Sequence, residues 1–85
     1  MIETEQKLPK WFNGSLYSSG DEVTNPFSGD KYHLTALELS MYDFIMGAQY
    51  ILDVRGYDET IINDMQKGLS WFRQNNGKAY MTLLD

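Results

Sequence analysis

Across residues 1 to 33 the apolar side chains come in short groups broken by turn formers: Asn13-Gly14, Ser19-Gly20-Asp21, Asn25-Pro26 and Ser28-Gly29-Asp30. Such punctuation predicts turns and short strands. Asn13-Gly14, between Lys10-Trp11-Phe12 and Ser15-Leu16-Tyr17, carries the hairpin signal of a type I′ turn. A second hairpin pairs Glu22-Val23-Thr24 with Lys31-Tyr32-His33-Leu34 across the Asn25 to Asp30 loop, where Pro26 fixes one φ and Gly29 supplies a left-handed position.

From Thr35 the apolar period becomes helical. Thr35 is placed to cap, Glu38 stands three residues on, and Leu34 can staple against Leu39, so a helix is predicted from Ala36 to about Val54. Arg55 suits the negative end of its dipole and Gly56 its C-terminal stop. Asp58 then caps a second helix whose apolar stripe is Ile61, Met65, Leu69 and Phe72, flanked by Ile62. The connection is short enough to predict an antiparallel helical hairpin. Asn76 can cap a last short helix carrying Tyr80, Met81, Leu83 and Leu84.

These patterns predict an α+β, mainly helical fold in a single domain, 1–85. Its turn- and strand-rich part, 1–33, precedes a helical hairpin with a short C-terminal helix, 34–85. The first helix is unusual in being apolar almost all round. One stripe joins Leu37, Met41, Phe44, Ile45, Ala48, Ile51 and Leu52, which suffices to meet the second helix. Another joins Leu39, Tyr42, Met46 and Tyr50, leaving Glu38, Ser40, Asp43, Gln49 and Asp53 as a thin polar remainder. A helix of this kind is covered on more than one side, by its own chain or by another. Tyr and Met are favoured in contact surfaces, and Gly47 leaves room for a second backbone. A homo-oligomer is therefore expected, a twofold dimer first, with Leu39, Tyr42, Met46, Gly47 and Tyr50 at its interface.

Composition narrows the function classes. A hydrophobic fraction of 42% with 14% aromatics excludes a disordered chain. Without cysteine there is no disulfide framework, thiolate metal site or cysteine nucleophile. The acidic opening MIETEQKLPKWF does not read as a secretory signal, and no stretch approaches the roughly 20 apolar residues of a membrane span. A soluble cytoplasmic protein is expected. Twelve Asp and Glu against seven scattered Lys and Arg give a formal net charge of -5, which argues against nucleic acid as a partner.

Candidate chemistry is sparse. His33, the single histidine, stands at a strand–helix junction with no orienting partner in the pattern, so no catalytic residue is assigned. Carboxylates alone, with neither an EF-hand spacing nor a Glu-x-x-His pair, predict no metal and no cofactor site. Glu38 and Asp58 read as caps. Asn25-Pro26-Phe27 matches a short peptide that some eukaryotic adaptor domains bind, but its place between two strands reads as a turn. Trp11 and Tyr17, in the third of the chain with fewest helical neighbours, are the expected partner-binding aromatics.

The segments VTNPFSG (Val23 to Gly29), ELSMYDFIMGAQ (Glu38 to Gln49), LSWFRQNN (Leu69 to Asn76) and AYMTLLD (Ala79 to Asp85) resemble small uncharacterised proteins of tailed phages that infect marine cyanobacteria. The resemblance implies a viral origin and expression in the cytoplasm of an infected bacterium, or a place in the virion. It carries no activity and no functional residue. The expected function is accessory: protein–protein contact, with self-assembly through the first helix and a host or virion protein as further partner. The alternative is a small oligomeric enzyme or ligand binder with a site at the subunit boundary near His33, Glu38 and Tyr42.

Overall fold

The computed structural model describes residues 7–84. Strands β1 (Asp21–Thr24) and β2 (Lys31–Leu34) form an antiparallel hairpin, followed by helices α1 (Ala36–Arg55), α2 (Glu59–Asn75) and α3 (Gly77–Leu83). The fold is α+β and mainly helical, as the pattern predicts.

Local chemistry sets the element boundaries. At the start of α1 the Thr35 side chain accepts from the Glu38 N–H while the Glu38 carboxylate accepts from the Thr35 N–H at 2.9 Å, a complete capping box. α1 stops at Gly56, whose φ of 87° and ψ of -158° suit glycine alone. The Asp58 carboxylate then accepts the Ile61 N–H to cap α2, and the Asn76 amide oxygen accepts the Ala79 N–H to cap α3. In the hairpin Thr24 faces Lys31 and Val23 faces Tyr32. This register turns Tyr32 and Leu34 inward and leaves Lys31 and His33 exposed. The outward Lys31–Glu22 pair, 4.0 Å apart and exposed at both ends, adds less than about 1 kcal/mol.

The core gathers Leu34 of β2, Met41 and Ile45 of α1, Phe72 of α2, and Ala79 and Leu83 of α3. At Gly68 α2 lies close against α1. A Cβ there would stand 2.9 Å from Ile45 Cγ1 and 3.3 Å from Met41 Sδ, so only glycine fits without displacement.

The expected hairpin at Asn13-Gly14 is absent. Among the described residues only Gly29 and Gly56 have positive φ, whereas a type I′ turn needs positive φ at both central residues. Residues 7–20 instead form an irregular strap across the helices. The Phe12 N–H closes a turn on the Pro9 carbonyl at 3.1 Å, and the Trp11 and Phe12 rings pack against Phe44 with centroids 5.9 and 5.3 Å away. The Trp71 indole N–H donates to the Lys7 carbonyl at 2.9 Å, and the Tyr17 N–H to Ser40 Oγ at 2.9 Å. Burying two aromatic rings outweighs the local preference of one dipeptide.

The polar remainder of α1 also needs correction. Glu38 is 3% exposed and Ser40 fully buried, while Asp43, Gln49 and Asp53 are exposed as expected. Ser40 is covered by the strap and returns its own hydroxyl proton to the Ala36 carbonyl. Glu38 is covered by the α2–α3 junction, where Asn76 Nδ2 donates to its second oxygen at 2.9 Å. Each buried polar group thus has its partner.

Candidate interaction surface

The coverings of α1 differ along its length. Leu39 and Tyr42, near its start, are half-buried and pack against the core. Met46 is 38% exposed, Tyr50 69% and Val54 62%. The expected interface residues Leu39, Tyr42, Met46 and Tyr50 therefore lie on one stripe that is covered at its beginning and open at its end. Gly47 is exposed beside this stripe, with nothing within 4 Å of where its Cβ would stand.

Next to the open stripe runs a groove of about 520 Å³. Its walls are Tyr42, Ile45 and Met46 of α1, Met65 and Leu69 of α2, and Leu83 of α3, and its rim is the Asn25 to Phe27 turn. Among the described residues Asp53 is the single charged one lining it. Burial pushes the Tyr42 phenol pKa up from its ordinary value of 10.0.

The rim is firmly built. Asn25 Nδ2 donates to the Thr82 carbonyl at 3.0 Å, pinning the hairpin turn to α3. Its Oδ1 accepts the Phe27 N–H at 2.9 Å, and its carbonyl accepts the Gly29 N–H at 2.8 Å. The turn thereby holds Phe27 98% exposed.

A second depression, about 310 Å³, lies on the opposite side of α1 between the strap and α2. Phe44, Ala48, Ile51 and Ile61 form its apolar walls, with Asp43 and Asp64 also lining it. The Tyr17 hydroxyl faces Asp43, whose negative charge holds the phenol pKa above 10.0, with burial and their hydrogen bond adding to it.

Of the two expected partner-binding aromatics, Trp11 is half-buried on Phe44 with Lys67 Nζ 5.8 Å from its ring centre. Tyr17 is 41% exposed. They sit on the strap, Trp11 against Phe44 and Tyr17 beside Asp43. The residues of the alternative site do not gather within the chain. His33 faces outward on β2, Glu38 is buried in its capping box and against Asn76, and Tyr42 lines the groove. Among the described residues no three His, Asp or Glu side chains are grouped to hold a metal ion, and no helix is long and apolar enough to cross a membrane.

Sequence reasoning read Asn25-Pro26-Phe27 as a turn and gave no surface role to Asn25, Phe27 or Val54. Phe27 follows Pro26 in a tight turn, a place from which a side chain rarely reaches the core, and that signal was available. The Asn25 bond to Thr82 spans 57 residues and had none. Compared with known protein families, with curated proteins and with solved structures, the chain matches none.

Proposed function

We propose that the protein works by contact, as a small accessory protein that assembles with itself through α1 and presents the assembly to a further protein. The observation that supports this most is the uncovered row Met46, Tyr50 and Val54, spaced four residues apart on one side of α1. A monomer gains nothing from leaving that row in water. The resemblance to phage proteins supplies the setting: the cytoplasm of an infected bacterium, or the virion, with a host or virion protein as the further partner.

Light scattering over a dilution series tests the reading. The expected result is a stable multiple of 9.9 kDa that Tyr50→Asp dissociates without loss of helical circular dichroism, since Tyr50 is mostly exposed. A mass of 9.9 kDa at every concentration would overturn it.

A further inference from the structure

Resting on that self-assembly, we infer that the groove between α1, α2 and α3 receives Phe27 of a second copy of this chain, so that two protomers exchange their Phe27 rings about a twofold axis.

An isologous interface requires one patch to carry both an anchor and its receptacle. This patch does. Phe27 stands on the rim of the groove it does not fill, and the groove has room for an aromatic ring. The turn is pinned by Asn25 to α3 and to the Phe27 N–H, so the backbone that carries the ring is held before any encounter and only the side chain remains to be ordered.

Charge permits a second copy on this face. The chain carries a formal net charge of -5, so two copies repel wherever carboxylates face one another. Among the described residues the groove is lined by one carboxylate, Asp53, and otherwise by apolar and uncharged polar groups, so two acidic chains can meet there.

Area agrees. Phe27, Met46, Tyr50 and Val54 leave on the order of 500 Å² of side chain uncovered, counting a large aromatic as roughly 200 Å². A standard interface uses about 600–1,000 Å² per partner, and with the groove walls the patch reaches the lower end of that range. Phe27 alone would be too little, and the α1 row alone would leave the groove empty. The pairing surface therefore includes both.

Sedimentation equilibrium of the wild type, Phe27→Ala and Tyr50→Asp tests the exchange. Phe27 packs in no core, so Phe27→Ala is expected to fold normally and to weaken self-association at least tenfold, as loss of a central aromatic anchor does. In a mixture of isotope-labelled and unlabelled protein, intermolecular NOEs should join the Phe27 ring to Leu69, Leu83 or Met65. If Tyr50→Asp dissociates the assembly while Phe27→Ala leaves it unchanged, or if an intact dimer gives no such NOEs, assembly through α1 stands and the exchange of Phe27 is overturned. A wild type that remains monomeric overturns both.

Discussion

Two glycines in neighbouring helices face opposite demands. Gly68 is closed in by Ile45 and Met41, whereas Gly47 has open space around it. Gly68→Val is expected to cost about 2 kcal/mol through overpacking, because the added atoms must displace the base of the Ile45 side chain. Gly47→Ala is expected to stabilise by about 0.5–1 kcal/mol, since alanine restricts the unfolded chain and meets nothing in the folded one. Urea denaturation of both variants checks the pair, and equal effects would mean that α1 and α2 do not approach as described. At Tyr17 and Tyr42 the pKa lies above the ordinary 10.0, for the first because of Asp43 and for the second because of burial. Above pH 10 the unfolded chain then binds fewer protons than the folded one, so stability falls as pH rises further. Asp43→Asn should move the Tyr17 titration down toward its ordinary range, read from tyrosinate absorbance. An unchanged titration curve would remove Asp43 as the main cause.

At the scale of elements, one junction ties three of them together. Glu38 closes the α1 capping box and accepts from Asn76, which caps α3 and accepts a 3.4 Å hydrogen bond from the Tyr32 hydroxyl of β2. Glu38→Ala removes the carboxylate that accepts from the Thr35 N–H and from the half-buried Asn76 amide and is expected to cost about 2–3 kcal/mol. Asn76→Ala should cost somewhat less, about 1–2 kcal/mol, through the lost α3 cap and its bond to Glu38. Because the residues share a hydrogen bond, the double variant should lose less than the two single losses combined. Additive losses in chemical denaturation would show that the junction is two separate caps. Each cap was legible in the sequence, as Thr35 with Glu38 and as Asn76 before the last apolar group. Their union was not, because helix-cap spacing says nothing about a partner 38 residues away.

For the whole molecule, the strap of residues 7–20 decides how much of α1 remains open. It covers the Phe44 and Ser40 side with two aromatic rings and the Tyr17 N–H, leaving the Met46, Tyr50 and Val54 side uncovered. Ser40→Ala removes the acceptor of the Tyr17 N–H, and that amide should then exchange with solvent at least tenfold faster while the α2 core amides keep their protection. Uniform loss of protection would mean that strap and helices open as one unit. The apolar girdle of α1 thus has two explanations at once. Its own chain covers part of it, and the row that remains is the basis for the proposed assembly.

The sequence by itself determined where the helices begin and end and which loop joins the two strands. Thr35, Glu38, Gly56, Asp58 and Asn76, and the Asn25 to Gly29 turn, act through hydrogen bonds and backbone angles within four residues of themselves. Tertiary structure alone decided that Asn13-Gly14 makes no hairpin, that Glu38 and Ser40 are buried, and that Phe27 stands free above a groove. The bonds responsible join residues 23, 38, 57 and 64 positions apart. Local pattern specifies what a segment can form, but burial depends on which distant segment arrives to cover it.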